Sequence, residues 1–334
     1  MFGATMQTIL ARMAALVIAA LAVALTAGTA VGQPADYPSK PIRLVSPFNP
    51  GGAIDVLNRL IAEKLSARLG QQVIVDAKPG ANTIIGAEIV ARAPADGYTF
   101  LITTNSTHTN NPALYKSLPY DPAKDFAPIT QVSLGSVLFV AAKDAPYGDI
   151  NGFLAWAKSL NRPASYGSWG VGSAGHLYGT LLEKAAPGRL SHVPYKGEVP
   201  AIGDVHGGSL DSTFCSPVGA KPQIAAGRIK PLAMTGAARS AAMPDLATFK
   251  EQGVEGLDLT LFVAAYAPAG TPEPIVARLQ REIKAVIADP EVRQKMLDQG
   301  QTPVGSTPAE LQAVLAREAP KWAELIRVSG AKVE

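Results

Sequence analysis

Short apolar runs alternate with stretches of helical spacing in the first third of the chain. Residues 42–45, 72–76 and 98–104 are largely apolar runs of strand length. Residues 54–69 and 84–93 instead repeat apolar side chains every three or four positions, as amphipathic helices do. Strands that alternate with helices of this length predict βαβ units and a parallel sheet.

A second series with the same alternation follows a long apolar stretch over residues 129–142. That stretch is longer than one ordinary strand and is interrupted by Gly135, so it is expected to cross from one domain to another. Later predicted strands cover residues 164–168, 190–195, 210–215, 229–235 and 259–266. Helices are predicted between them and over residues 271–286, 290–299 and 308–328, the first of these with Pro272 at position N1.

The first predicted strand and helix are joined by a glycine-rich turn, Pro50-Gly51-Gly52. The first amides of a helix have no partner within it, and glycines leave such amides accessible. The turn therefore suits an anion, either a carboxylate or a phosphate. The alternative is a plain turn whose glycines serve backbone geometry alone, and the local pattern does not separate the two.

The same architecture returns after the strand at 164–168, where a turn rich in glycine and serine precedes a helix. Residues 170–175 match G-x-G-x-x-G, which in a dinucleotide fold is followed about 20 residues later by an acid at the end of the next strand. Glu198 has nearly that spacing but lies past the strand. A glycine-rich anion or ligand loop is therefore favoured, with Ser173 as the N-cap of the helix.

A third polar loop, residues 103–111, follows the third predicted strand and is dense in hydroxyls and amides. Ligands of open α/β sheets bind beyond the carboxyl ends of the strands, where the first glycine turn also lies. The two loops are expected to converge on one crevice, unless the third is only a solvated loop with helix-capping side chains. Asp211 is a candidate for orienting a polar group near this crevice. Asp55 is explained as a first-turn carboxylate favoured by the helix dipole.

Signatures of catalysis and of metal binding are missing from the sequence. No serine stands in G-x-S-x-G, and none of the four histidines, His108, His176, His192 and His206, has H-E-x-x-H spacing. The single cysteine, Cys215, excludes a disulfide within the chain. Catalytic residues, a metal site and a cofactor are therefore not predicted, and His176 is expected to serve packing or polar lining.

Composition narrows the class of partner. The 334 residues suffice for two domains, and 47% hydrophobic with 17% charged residues is typical of a globular chain. The formal net charge is only +3 and no dense cluster of lysine and arginine occurs, so nucleic acid is a poor candidate partner.

The first 32 residues have the layout of a secretory signal peptide. They contain Arg12, an Ala-rich apolar core over residues 13–25 and the small-residue ending Ala30-Val31-Gly32. Cleavage near Gly32 and export to the periplasm are predicted. The alternative is a membrane anchor, because the apolar stretch approaches the ~17 residues that span a bilayer.

Several short motifs occur in order along nearly the whole mature chain. They are Pro50-Gly51-Gly52 with Asp55 and Arg59, Leu69-Gly70-Gln71, Lys78-Pro79-Gly80-Ala81, Asp96-Gly97-Tyr98, Pro119-Tyr120-Asp121-Pro122, Gly175-His176-Leu177, Val193-Pro194-Tyr195-Lys196-Gly197 and Ala267-Pro268-Ala269-Gly270-Thr271-Pro272. Together they resemble the Bug-type extracytoplasmic solute receptors, the substrate-binding subunits of tripartite tricarboxylate transporters. Asn49, Asn82-Thr83 and Cys215-Ser216 depart from the usual pattern, and the first and last of these are expected near the ligand.

The resemblance implies an α/β fold of two lobes, the type II-like periplasmic binding protein, with a ligand cleft between the lobes and crossing hinge strands. Lobe 1 would comprise residues 37–140 and 262–334, and lobe 2 residues 141–261. A small carboxylate would be held in the cleft by backbone amides and ordered water. The implied ligand-binding residues, with Asp211 added, are Phe48, Asn49, Gly51, Gly52, Asn105, Ser106, Thr107, Ser168, Gly172, Ser173 and Asp211.

A member of this class would be a non-catalytic monomer that passes its ligand to the membrane permease subunits of the transporter. The ligand would be a di- or tricarboxylate, an amino acid or an aromatic acid. An α/β enzyme acting on a small anion or a nucleotide is the alternative. A structural or signalling protein that keeps the fold is a third possibility.

Overall fold

The computed structural model describes residues 37–240, 243–259 and 261–330, so the predicted signal peptide lies outside the described residues. Every described helix and strand lies in one compact unit that begins at Lys40. The strands are β1 (Ile42–Ser46), β2 (Val73–Ala77), β3 (Thr99–Thr104), β4 (Phe126–Gly135), β5 (Leu138–Ala142), β6 (Ala164–Ser168), β7 (Leu190–Pro194), β8 (Ser212–Cys215), β9 (Ile229–Met234), β10 (Leu261–Pro268) and β11 (Gln301–Pro303).

Where the sequence predicts bounds, the helices follow them to within a few residues, whereas the short helix over residues 111–114 is not predicted. They are α1 (Ala53–Leu69), α2 (Ile84–Ala91), α3 (Asn111–Leu114), α4 (Ile150–Ser159), α5 (Ala174–Glu183), α6 (Glu198–His206), α7 (Pro217–Ala225), α8 (Glu273–Ala288), α9 (Pro290–Asp298) and α10 (Pro308–Ser329). Short 3-10 turns occupy Ala81–Thr83 and Asn105–Thr107. Pro272 is the N-cap of α8 and not its first helical residue, which corrects the predicted N1 position by one residue.

Two mixed sheets organise the protein. The first sheet has the strand order β11-β4-β10-β3-β1-β2, and the second has the order β7-β6-β8-β5-β9. The βαβ prediction is confirmed for β1, β2 and β3, which pair in parallel. It is also confirmed for β6, β7 and β8, since β6 pairs in parallel with both of the others. The prediction of a parallel sheet is wrong for β4, β5, β9, β10 and β11, because β10 runs antiparallel to β3 and β4, β11 antiparallel to β4, and β5 antiparallel to β8 and β9.

Helix α1 shows how the sequence pattern becomes packing. Its residues Leu57, Ile61 and Leu65 recur at helical spacing and are fully buried. Burying each such side chain contributes roughly 1.5–3 kcal/mol. Gly70 ends the helix in the left-handed conformation (φ +69°), where its N–H donates to the carbonyl oxygen of Ser66, as the sequence predicts.

The chain crosses between the sheets at more than one place. The long apolar stretch is two strands, since β4 ends at Gly135 in the first sheet and β5 begins at Leu138 in the second. Helix α10 also joins the two cores: Leu311 packs with the first sheet, whereas Trp322 and Leu325 pack with the second. The lobe limits at residues 140 and 262 remain a prediction. None of the described helices is long and apolar enough to cross a membrane.

Candidate functional site

Three loops meet at the carboxyl ends of β1, β2 and β3. The loop after β1 touches α2, because a Cβ built on Gly86 would lie 2.8 Å from the Cβ of Pro47. The loop after β2 touches the turn after β3, since the hydroxyl oxygens of Thr83 and Thr107 are 2.8 Å apart. The predicted crevice of the first sheet is therefore bounded by three loops and not by two.

The first glycine loop, residues 47–52, presents the amino end of α1. Gly51 has φ +82°, a conformation that favours glycine, and its N–H donates to Asp55 Oδ2 at 2.9 Å. Gly52 is the N-cap and has no side chain to cap the helix. The amides of Ala53 and Ile54 have no acceptor among the described residues. The helix dipole adds positive potential there, so this end of α1 favours an anion.

Asp55 closes this loop. Its side chain is 1% exposed and, besides accepting from Gly51, pairs with the half-exposed Arg59, whose Nε lies 2.8 Å from Asp55 Oδ2. The carboxylate is thus occupied inside the loop. Phe48 is half-buried and Asn49 is exposed beside it, and the carbonyl oxygen of Asn49 accepts the N–H of Gly52 at 3.3 Å.

The second glycine loop, residues 168–173, presents the amino end of α5. Ser173 is the predicted N-cap: its Oγ accepts the N–H of His176 at 3.4 Å and donates to the carbonyl oxygen of Gly170 at 2.6 Å. Gly170 and Gly172 have φ +131° and +76°, so both positions favour glycine. The first amides of α5, on Ala174 and Gly175, have no acceptor among the described residues. Each sheet therefore carries one glycine loop with free helix amides.

Two histidines lie behind the second glycine loop. His176 and His192 stack with ring centroids 4.1 Å apart, and His192 Nε2 lies 2.7 Å from Ser168 Oγ. The N–H of Gly172 donates to His176 Nδ1 at 3.1 Å. Burial lowers the pKa of both rings, and burial together with the neighbouring His176 lowers the pKa of His192 to about 4. Both rings are therefore neutral near pH 7.

The polar turn after β3 is mostly internal. Asn105 and Thr107 are fully buried, and the Thr107 hydroxyl lies between those of Thr83 and Thr103, at 2.8 and 2.7 Å. Asn105 donates to Thr109 and Asn110 through Nδ2, and its Oδ1 has no partner within the described ranges. Ser106 is 6% exposed, at the same turn. The Thr107 hydroxyl thus links the turn after β2 to the turn after β3, whereas Asn105 Oδ1 is an acceptor without a donor among the described residues.

The turn after β2 was missing from the predicted site. Ala81, Asn82 and Thr83 all have positive φ, at +44°, +48° and +78°. For residues with a Cβ this costs roughly 1–2 kcal/mol each. Hydrogen bonds offset the cost: Asn82 Nδ2 donates to Asn111 Oδ1, and Asn111 Nδ2 donates to the carbonyl oxygen of Asn82, both at 2.8 Å. The one sequence signal was that Asn82-Thr83 departs from the family pattern.

Asp211 is not brought to these loops. It pairs with Arg162, with Nη1 to Oδ2 at 2.6 Å, and accepts the N–H of Ser165 at 2.7 Å. Ser165 lies near the amino end of β6, whereas Ser168 ends that strand at the loop. Asp211 therefore lies at the opposite end of β6 from the second glycine loop, where it binds Arg162 and Ser165.

Glu198 and Cys215-Ser216 are also occupied within the fold. Glu198 accepts from both the N–H and the hydroxyl of Ser216, at 2.6 and 2.7 Å, and so supports the N-cap of α7. Cys215 is fully buried, and burial raises the pKa of its thiol. Among the described residues no group of three histidine, cysteine or acidic side chains could hold a metal ion.

Helix α3 links the loops of the first sheet to the second glycine loop. Asn111 at its start holds Asn82, and Leu114 at its end packs into the core of the second sheet. A Cβ built on Gly172 would lie 2.7 Å from Leu114 Cδ1. The turn after β2 and the second glycine loop are thus both in contact with this four-residue helix.

Comparison with known proteins places these features in a family. The sequence profile of the tripartite tricarboxylate transporter family receptor matches residues 57–331. Protein BugT of Bordetella pertussis is 31% identical over 311 residues, which are 92% of this chain and 95% of BugT.

Solved structures agree with the sequence match. The periplasmic binding protein BugD is 34% identical with a TM-score of 0.82, covering 89% of this chain and 100% of BugD. An R. palustris protein solved with adipate is 34% identical, with a TM-score of 0.84 and the same coverage. MatC from Rhodopseudomonas palustris with bound malate is 29% identical with a TM-score of 0.79, covering 87% of this chain and 100% of MatC.

Proposed function

The chain belongs to the tripartite tricarboxylate transporter receptor family, and from this we propose that it captures a small dicarboxylate between its two glycine loops for uptake by such a transporter. The observation that carries the proposal is the pair of loops themselves. In each sheet, one strand is followed by a glycine turn and then by a helix, α1 in the first sheet and α5 in the second. The first N–H groups of both helices have no acceptor among the described residues.

The amides supply enough affinity for a receptor. A hydrogen bond to a charged group contributes roughly 1.5–3 kcal/mol. Three or four such bonds, less the costs of association and ordering, support micromolar binding, about −8 kcal/mol. Neither glycine loop contains an arginine, so backbone shape and not an ion pair selects the carboxylate.

The relatives support a dicarboxylate as the ligand. One structural neighbour carries adipate and another malate, both of them dicarboxylates. We propose that one carboxylate binds at the free helix amides of the glycine loops and that the side chains of Asn49 and Ser106 contact the rest of the ligand. The proposed contact residues are Phe48, Asn49, Gly51, Gly52, Asn105, Ser106, Thr107, Ser168, Gly172 and Ser173, without Asp211.

Binding without turnover is the expected behaviour. Relatives of this family are solute-binding proteins, and we propose that this chain performs no chemistry on its ligand. Calorimetry with malate, adipate, citrate and aspartate should give saturable binding of at least one, with the acid recovered unchanged by proton NMR. Conversion of any of them would support the enzyme alternative, and absence of binding to all four would contradict the dicarboxylate proposal.

Gly52 offers a variant pair that tests the site. A Cβ built there would lie 3.4 Å from the carbonyl oxygen of Asn49, an ordinary contact, and φ is −75°. Gly52→Ala should therefore fold and bind within a few-fold of the wild type. Gly52→Leu projects a larger side chain at the free amides and should weaken binding at least ten-fold with little change in Tm. Equal affinity of the two variants would exclude this loop from the site.

Location and assembly complete the proposal. BugD, with which the chain shares its fold, is a periplasmic binding protein. We propose that this chain is exported to the periplasm, loses residues 1–32 and acts as a monomer beside the membrane subunits of its transporter. N-terminal sequencing of the exported protein and light scattering test these three points.

A further inference from the structure

Two stacked histidines support the second glycine loop from behind. We propose that His176 is a positioning residue of the binding site, which holds this loop in its ligand-binding shape only while the imidazole is neutral. The proposal rests on the proposed function, because it concerns one of the two loops that bind the carboxylate.

The bond to Gly172 carries the proposal. The N–H of Gly172 donates to His176 Nδ1 at 3.1 Å, so that nitrogen acts as an acceptor. A protonated imidazole has N–H donors at both nitrogens and cannot accept. Gly172 also has a positive φ of +76°, a conformation that favours glycine. Proton uptake at Nδ1 would therefore remove this hydrogen bond and leave the loop held by the bonds of Gly170 to Ser168 and Ser173.

The second ring fixes the other end of the loop. His192 lies parallel to His176 at 4.1 Å, and its Nε2 contacts Ser168 Oγ at 2.7 Å. Ser168 Oγ in turn accepts the N–H of Gly170 at 3.2 Å. The pair thus holds the loop at residues 170 and 172 through separate hydrogen bonds. Two positive rings at this separation repel each other, which favours the neutral state of both.

Neither ring forms an ion pair with a carboxylate of the described residues, although burial and the charge of Glu183 raise the pKa of the neighbouring Tyr166. The ring of Tyr166 lies 5.1 Å from that of His192, and its hydroxyl donates to the carbonyl oxygen of His176 at 3.4 Å. No carboxylate among the described residues raises the pKa of either ring; burial lowers that of His176, and burial with His176 lowers that of His192. Acid therefore acts on the pair without compensation, and the loop loosens as the pH falls.

Three variants separate this role from simple packing. In His176→Asn, the amide oxygen can accept from Gly172 near the position of Nδ1 but does not titrate. In His176→Leu, the acceptor is lost. His206→Asn is the control, because His206 is exposed in the last turn of α6, outside the pair.

Calorimetry with adipate at pH 7.5 and 4.5 gives the affinity test. Ionisation of adipate affects all variants equally, so the ratio of the wild-type Kd to the H176N Kd isolates the histidine. We expect this ratio to rise at least three-fold in acid, because only the neutral fraction of the wild type is competent to bind. H206N should follow the wild type, and H176L should bind at least ten-fold more weakly than H176N at pH 7.5. A ratio that does not change with pH would overturn the proposal.

NMR of the ligand-free protein tests the same claim without any carboxylate. The Gly172 amide and the His176 ring nitrogens should titrate with one midpoint below 6.5, and the amide titration should vanish in H176N. A Gly172 amide that does not follow the ring would overturn the proposal. Failure of adipate to bind the wild type at pH 7.5 would instead count against adipate as a ligand, while the NMR result would still decide the role of His176.

Discussion

Leu114 of α3 lies over Gly172 of the second glycine loop so closely that a Cβ on Gly172 would be 2.7 Å from Leu114 Cδ1. Leu114 belongs to the chain segment between two strands of the first sheet, yet it is 4% exposed within the core of the second. The second glycine loop and the segment after β3 are therefore not independent, since a change at this contact alters the packing of both.

Gly172→Ala should weaken adipate binding at least ten-fold. The methyl group meets Leu114 and also disfavours the positive φ of +76°. Leu114→Ala should lower the free energy of unfolding by about 2–5 kcal/mol, as core truncations of leucine do. Calorimetry and urea unfolding of both single variants and the double variant measure their coupling. Strictly additive effects would show that the contact does not couple α3 to the second glycine loop.

Asp55→Ala should destabilise the first glycine loop. The change leaves the Gly51 amide and the Arg59 guanidinium without their buried acceptor, and such losses cost roughly 1–3 kcal/mol. Binding should weaken together with stability, as urea unfolding and calorimetry would show. Glu63→Ala is the matched control on an exposed position of α1 and should change neither. A normal affinity in Asp55→Ala would mean that the loop keeps its shape without this carboxylate.

Ala81→Gly should be neutral or stabilising by up to about 1 kcal/mol, because glycine relieves the left-handed strain at φ +44°. The same change at an ordinary helical position, Ala67 in α1, should cost about 0.5–1 kcal/mol. Chemical denaturation of both variants gives the comparison. A destabilised Ala81→Gly with a cost equal to that of Ala67→Gly would argue against strain in the turn after β2.

Acid should destabilise the protein through His108. This ring is stacked on Tyr266 at 3.8 Å, neither nitrogen has a partner among the described residues, and burial lowers its pKa to about 3. The unfolded chain takes up a proton below about pH 6.5 while the native state does not, so stability is complete above that pH and falls between 6.5 and 3.

The expected loss from His108 alone is about 2 kcal/mol between pH 7 and 5, from about 1.4 kcal/mol per pH unit. His108→Phe keeps an aromatic ring between Phe126 and Tyr266 but cannot titrate. Urea unfolding at both pH values should therefore show a smaller acid loss in the variant. An equal loss would mean that other groups account for the acid sensitivity, such as Asp76, which pairs with Arg43, and Asp211, which pairs with Arg162.

The local part of the site could be predicted from the sequence, and the tertiary part could not. Gly51 and Ser173 were predicted because a turn before a helix has a local signature of residue types and spacing. The pairing of Asn82 with Asn111 joins positions 29 residues apart, and no periodicity reports it. Asp211 was predicted to orient a polar group near the crevice, but the strand direction places it with Arg162 at the amino end of β6, away from the glycine loop. The type of a residue indicates which contacts it can make, whereas the topology of the sheet decides at which end of the strands it lies.

Helix α10, with Leu311 in one core and Trp322 in the other, has a consequence for folding. Neither core is complete until the last 22-residue helix has docked, because that helix supplies buried side chains to both. The two cores therefore cannot complete their packing independently, and removing α10 would leave both of them open to solvent.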